Sequence, residues 1–551
     1  MSNPENPHRD EQVEKLHQFA ATAGLEAELS KPHVIIPGGM QSITKSASKL
    51  FSIIAPTRKL FLLDGNVCQI AKENGILKVE LLKSAAACSL FEKYVHFVKP
   101  EKNPDGEIQY VPTIISKETA EKYLTAEERR LLPEIEGIIN CPLLAERNKA
   151  LITVQGGYDS ATKLFVTSEE TIPLVFLSTA IDVLKYLLQD FNFQTPGDRS
   201  RALASFITPV LKFGGFIKGP IPADAAEADV SQSGKTYRQK MVAAVFNETC
   251  NVINKAEGSG VGSLEEAFST CLVQGKPFIQ FDNIRGKFSF QKLESFMTAS
   301  GFFDARPAYS KVIRVNPAKF MIMISSNGYM TTPDLANRSS IIRIFKRQGY
   351  QFKQWERDGE VKGGMLDFIN DGQPLMLGCV FAIVREWFEK GKPRTAETRH
   401  DFREWCQILD WIVQNIFNSA PLMDGHKEAQ TRVASPDHTF IRAVAVELAA
   451  EGRLDVDIRA RNIFEVCEEK DILIPGLTGE QKHNEDTANK VIGKIMGRLF
   501  AKVETIAVDT FVVSRRVTTE TSSAMNPYQT RNYRFTRARE EPHETKSQPS
   551  Q

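Results

Sequence analysis

The sequence predicts an α/β chain whose centre is a layered domain with a parallel sheet, and three observations predict it. From about Pro220 to Arg343, short apolar runs (KPFIQF, KFMIMISS) alternate with helical stretches (KTYRQKMVAAVF, SLEEAFSTCLV, FQKLESFMTA). Strands joined by crossover helices read this way. The tetrapeptide SGKT, Ser233 to Thr236, opens one of those helices. The chain has 551 residues, about twice what one hydrophobic core sustains, so further domains must flank the centre.

The flanks divide by pattern. Residues 1–45 are polar and loop-like and read as a flexible arm. Residues 46–168 read as an α+β domain, with a hairpin turn at Asn74-Gly75 between two apolar runs. Residues 169–350 hold the α/β core with leading helices, among them LVFLSTAIDVLKYLLQDF, whose apolar residues recur at three- and four-residue steps. Residues 351–435 form the next segment, of which 363–430 read as almost all helix. Residues 436–538 read as three helices and then a hairpin with strands TIAVDTFVVSRR and TRNYRFTR. Residues 539–551 are polar and read as a disordered tail.

Composition excludes more than it assigns. Lysine and arginine number 69 against 68 acids, a net charge of +1, so any basic surface must be local. Eight cysteines are spread without a CxxC pair, which argues against a zinc module or a disulfide framework and suits buried apolar thiols in a reducing compartment. The N-terminus lacks the apolar stretch of a signal peptide, and no run approaches a membrane span. The expectation is a cytoplasmic protein with no membrane partner.

The chemistry-bearing residues come in three groups. The first is SGKT. A turn entering a helix aims backbone N–H groups at phosphate oxygens. Lys235 would reach the β- and γ-phosphates of ATP, Thr236 would place its hydroxyl on Mg²⁺, and Ser233 and Gly234 would complete the loop. The glycine usual six places before the lysine is replaced by Asp229, and the preceding strand, PIPADAAEADV, is poor in apolar residues. Gly-Lys-Thr also arises by composition in roughly a quarter of chains this long. The second group is PFIQFDN, an apolar run ending in Asp282, which is how a strand presents a Mg²⁺ carboxylate. A plain core strand followed by a polar turn reads the same way. The third is KFMIMISSNGYMTTPDLANRS: a strand ending in Asn327, then Arg338. Arg338 taken alone also fits an ordinary ion pair.

These landmarks, in this order, resemble the C-terminal ATPase half of phage and plasmid primase-helicases, with a minichromosome-maintenance-like AAA+ core. QGKPFIQFDNIRG resembles the family's second motif, SGFFDARPAYSKVIRV the hairpin before the sensor strand, and SSNGYMTTPDLANRS the sensor and finger. The likeness runs from about 130 to 420. It implies a P-loop AAA+ core, a helical lid over 351–435, ATP and Mg²⁺ as cofactors, and a homo-hexameric ring. It implies that Asn327 orients the attacking water and that Arg338 is an arginine finger in a neighbour's site. Asn283 stands where many such enzymes carry the Glu that serves as base, so the water-activating group is unassigned.

The resemblance also implies that Arg306, Lys311, Arg314 and Lys319 grip the backbone of single-stranded or forked DNA. In the C-terminal part, Lys490, Lys494 and Arg498 fall at i, i+4, i+8 on one helix face, and Arg515, Arg516, Arg531 and Arg534 fall on the hairpin. Three helices and a basic hairpin suggest a winged-helix-like DNA-binding domain; a solvated charged face is the alternative. The expected activity is an ATP-driven helicase of mobile-element replication, with origin DNA or an initiator protein as a further partner. An origin-binding or loading factor, or a low-turnover scaffold, fits the same residues.

Overall fold

The computed structural model describes residues 31–537, apart from short stretches at 40, 74–75, 229–231, 255–261, 285–286, 328, 348, 358, 435, 478–483, 502, 509 and 522–526. The turn at Asn74-Gly75, the residue Asp229, residues 1–30 and residues 538–551 therefore lie outside the described residues. Within the segment expected as a flexible arm, His33–Ile35 is a strand paired parallel with His96–Val98, and a helix starts at Ile43. Among the described residues, no helix is long and apolar enough to cross a membrane.

Among the described residues, the N-terminal part is built from two small sheets and three α-helices. Strands Asn66–Glu73 and Ile76–Leu81 pair antiparallel down to Glu73 opposite Ile76. Helix Ile43–Ile54 buries Leu50, Phe51 and Ile54 against Phe91, Phe97 and Tyr123. Inside that core the Tyr123 and Ser46 hydroxyls lie 2.6 Å apart, which satisfies both polar ends away from water. This part is seated on the central domain: the Val79 amide donates to the Gln274 carbonyl (3.0 Å), and Phe61 and Val79 join the central core.

The central sheet has six strands: β1 (Asn192–Phe193), β2 (Ala223–Ala228), β3 (Asn251–Asn254), β4 (Phe278–Ile284), β5 (Met321–Asn327) and β6 (Ser339–Phe345), in the order β1-β6-β2-β5-β4-β3. All neighbours pair parallel except β1 with β6. The mixed α/β architecture with a parallel sheet is thus as expected. The strand whose sequence looked poorest, ADAAEA, lies near the middle of the sheet with every residue buried. Its alanines suit a strand covered on both faces. Its two acids are neutralised by partners remote in sequence. Asp224 pairs with the buried Arg238 and accepts from Ser205 Oγ at 2.6 Å. Glu227 pairs with Arg432.

Helices from before and after the sheet pack together: Leu177–Leu187 lies on Gln373–Glu389, and Pro196–Phe213 lies on Gln373–Glu389 and Arg403–Asn415. Thr195 and Asp198 form a capping box on the 196–213 helix, worth about 1 kcal/mol or more. Gly197 is required there, because a Cβ would fall 2.1 Å from the Asp424 carbonyl oxygen. From the same helix the buried Arg201 donates to the carbonyls of Ile341 (2.8 Å), Leu422 (2.7 Å) and Asp424 (2.9 Å). It ties β6 to the segment leading into helix His426–Ala434.

The C-terminal part has its own core around Ile441, Ile463, Ile492, Phe500 and Phe535. Three helices, α2 (Pro436–Ala450), α3 (Ala460–Glu469) and α4 (Glu485–Leu499), pack with a four-stranded antiparallel sheet. Its strands are β7 (Asp457–Ile458), β8 (Thr505–Val508), β9 (Phe511–Thr521) and β10 (Pro527–Arg537), in the order β7-β10-β9-β8. The stretch expected as one strand from Thr505 is two. Val508 pairs with Phe511, and the polar residues between them interrupt the apolar alternation of the sequence.

Candidate functional site

The ends of β2, β5 and β4 lie side by side, and helix α1 (Lys235–Val245) starts above them. A network beneath fixes this arrangement. Gln239 of α1 donates to the carbonyls of Asp224 on β2 (2.9 Å) and Ile324 on β5 (3.0 Å), and accepts from Gln280 on β4 (2.8 Å). These groups are almost fully buried, and the bonds position them, while Gln280 Oε1 has no hydrogen-bond partner among the described residues.

The loop into α1 bends through two left-handed residues, Gln232 (φ 63°) and Gly234 (φ 89°). Gly234 is needed twice over: its φ favours glycine, and a Cβ would meet the Phe352 and Phe191 rings at 2.5 and 2.9 Å. Just inside the helix, Lys235 Nζ donates to Asn327 Oδ1 at 2.7 Å. Burial pushes the Lys235 ammonium below its ordinary pKa, and the Asp282 carboxylate pulls it back up. Thr236 Oγ1 donates to Asp282 Oδ1 at 2.9 Å. So four of the expected residues, Lys235, Thr236, Asp282 and Asn327, converge from three separate elements, with Ser233 and Gly234 beside them.

Ser325 is the member that sequence reasoning missed. Its hydroxyl donates to Asp282 Oδ1, lies 3.1 Å from Thr236 Oγ1, and accepts from the Asn283 amide at 3.1 Å. The available signal was a pair of serines inside an otherwise apolar strand, both fully buried. The ladder of β4 slips between Phe281 and Ile284. Asn283 sits in this bulge at φ 50°, a conformation asparagine tolerates, and its side chain is exposed.

This donor set suits a magnesium–triphosphate. Thr236, Asp282 and Ser325 offer only oxygens, which a hard cation prefers. Lys235 and the α1 N-terminus offer positive charge to phosphates. Ser233 Oγ is buried without a hydrogen-bond partner among the described residues, an acceptor or donor left for a ligand.

Arg338 lies elsewhere. Its carbonyl accepts from the Ala223 amide at 3.0 Å, at the start of β2, whereas the loop into α1 follows the end of β2. The strand separates them by about 17 Å, beyond the reach of an arginine side chain. Within its own chain Arg338 donates to the Glu294 carbonyl (2.8 Å) and pairs with Asp334 (2.8 Å).

The expected basic residues divide. Strands Phe303–Ala305 and Ile313–Val315 form an antiparallel hairpin, on which Arg306, Lys311 and Arg314 are exposed, with Arg314 Nε 3.8 Å from Asp304 across the hairpin. Lys319 lies past the hairpin in a 3-10 turn and is 12% exposed. Its Nζ donates to the Thr162 carbonyl at 2.7 Å beside Glu136, so it serves as a strut to the preceding segment rather than as an open cation. On α4, Lys490 and Lys494 are exposed, but Arg498 is held bidentately by Asp437 at 2.8 and 2.9 Å. Arg515 covers the Phe500 ring at 5.7 Å. Arg516 lies 3.8 Å from Asp457, which also holds Arg534 at 2.7 Å. Two-residue periodicity sends Arg515 to the core face of β9 and Arg516 to the other.

No family model and no curated protein matches the chain. Among solved structures, the chain is similar to the SCCmec type IV Cch active helicase, with 11% identity, a TM-score of 0.30, and coverage of 86% of this chain and 97% of that one. It is also similar to the JCV helicase in complex with a thiazolopyridine acetamide, with 11% identity, a TM-score of 0.20, and coverage of 47% and 71%. Scores this low decide nothing about chemistry, which rests on the residues of the site.

Proposed function

We propose that the chain is an ATP- and Mg²⁺-dependent hydrolase that works as a hexameric DNA helicase in the replication of a mobile element. One observation carries the hydrolase reading: Lys235, Thr236, Asp282 and Asn327 meet at the carboxyl ends of three adjacent parallel strands, where α/β sheets bind ligands. The mobile-element setting, the AAA+ ring and the names lid and winged helix rest on the sequence resemblance.

In this reading Lys235 and the α1 amides hold the β- and γ-phosphates, and Thr236 and Asp282 hold the magnesium ion, with Ser325 orienting both. When bound, magnesium neutralises charge on the phosphate oxygens. Asn327 orients the attacking water and restrains Lys235. Asn283, exposed and bulged, is not given the role of base. Arg338 lies away from its own chain's site, and the sequence resemblance gives it the role of an arginine finger in a neighbouring subunit's site; its pairing with Asp334 also fits an ordinary ion pair. The exposed cations Arg306, Lys311 and Arg314 on one hairpin support backbone contact with single-stranded DNA, and Lys490 and Lys494 support a second contact.

Strand displacement tests the reading. Offered forked duplexes of each tail polarity with ATP, the wild type should unwind at least one and Lys235→Ala neither. ATP hydrolysis stimulated by DNA without displacement would favour an origin-binding or loading factor.

A further inference from the structure

The sheet order gives the nucleotide site two sides. The Asn327 and Asp282 strands, β5 and β4, lie on one side of β2, and β6 and β1 lie on the other. A triphosphate with its γ end at Asn327 must carry its nucleoside toward β6 and β1. What stands there is a cluster of aromatic rings from the ends of those two strands. We propose that Phe352, with Tyr350 and Phe191, forms a nucleobase-stacking subsite for a purine nucleoside triphosphate. This rests on the phosphate-loop reading above.

The cluster is built, not incidental. Phe352 packs on Gly234 of the loop, stacks on Tyr237 of α1 (5.8 Å, 17° between planes) and lies 5.3 Å from Phe191. The segment that carries Phe352 is tethered by the buried Asp190, which accepts from the Tyr350 hydroxyl at 2.5 Å and from the Lys353 amide at 2.9 Å. Lys346 Nζ donates to Gln232 of the loop at 3.2 Å. The protein thus fixes two large rings beside the phosphate loop yet leaves Tyr350 38% and Phe352 37% exposed. The cavity between them, lined by Asp190, Ser233, Phe345 and Tyr350, has a volume of about 70 Å³. It is smaller than a purine, so the base stacks across its mouth, and the unpartnered Ser233 Oγ faces the ligand's nearer phosphate or ribose. Stacking of a base on an aromatic ring is favourable without reading hydrogen-bond edges, so the subsite selects ring area, purine over pyrimidine.

Calorimetry on the full chain separates base from phosphate. Mg·ATP and Mg·tripolyphosphate are titrated into the wild type, Phe352→Ala, Phe352→Tyr and Lys235→Ala. ATP should bind Phe352→Ala about tenfold more weakly, with tripolyphosphate unchanged and Phe352→Tyr restored. Mg·CTP should bind the wild type more weakly than Mg·ATP. Unchanged ATP binding by Phe352→Ala overturns the subsite. Equal weakening of both ligands also overturns it, because the ring would then only prop the loop. Lys235→Ala should lose both ligands; if it keeps both, the phosphate-loop reading itself fails.

Discussion

The Lys235 ammonium and the Asn327 side-chain oxygen lie 2.7 Å apart, joining the first turn of α1 to the end of β5. The bond joins a buried ammonium to an exposed amide at the end of its strand. Lys235→Ala should reduce ATP turnover by about 10²-fold or more while circular dichroism stays that of the wild type. Asp282→Ala should do the same through the metal. Wild-type turnover by a folded Lys235→Ala protein would remove the site from this loop.

Arg338 is about 17 Å of strand away from the loop into α1 of its own chain, so the finger role proposed for it acts on a second subunit. Arg338→Ala should bind ATP nearly as the wild type does and hydrolyse it far more slowly, since the contact belongs to the transition state. Mixing Arg338→Ala with Lys235→Ala subunits should restore part of the activity, because some interfaces then pair an intact Lys235 with an intact Arg338. Full turnover by Arg338→Ala, or a wild-type specific activity independent of protein concentration, excludes the trans role.

The hairpin and the strut behave differently. Replacing Lys311 and Arg314 together should weaken single-strand binding and reduce the slope of log K against log salt by about 1.4, from two phosphate contacts at about 0.7 each. Lys319→Ala should leave that slope in place and lower stability instead, since it removes the bond to the Thr162 carbonyl. A slope unaltered by the double replacement returns the hairpin to a solvated loop.

His400 and His426 stack 5.5 Å apart against the Ser339 carbonyl, next to Arg338. Burial lowers both, His400 to about 4. The unfolded chain therefore takes up protons at these positions first, near 6.5. Their neutral burial is without penalty above that pH, and stability falls as pH drops from 6.5 toward 4. His400 alone accounts for a loss of about 2 kcal/mol between pH 7 and pH 5. Denaturation of wild type and His400→Gln at both pH values checks this: the variant should lose about that much less, and equal losses would show that His400 is not the titrating group.

The sequence by itself determined the parts whose signal is local. SGKT opens a helix because its glycine and helix-forming followers act within a few residues. Asp282 and Asn327 could be read because each ends a continuous apolar run, and a buried strand that turns polar marks its own end. The hairpin with Arg306, Lys311 and Arg314 was read from the family resemblance and not from a local apolar signal. What only the tertiary structure decided depends on partners distant in the chain. ADAAEA becomes a central strand because Arg238 and Arg432 neutralise acids that read as surface residues. Ser325 joins the site because β5 lies next to β4. Lys319 and Arg498 were read as open cations because sequence records a charge and not its counter-ion. Thr162, Glu136 and Asp437 meet them only after folding, and a paired charge has lost the freedom to bind a phosphate.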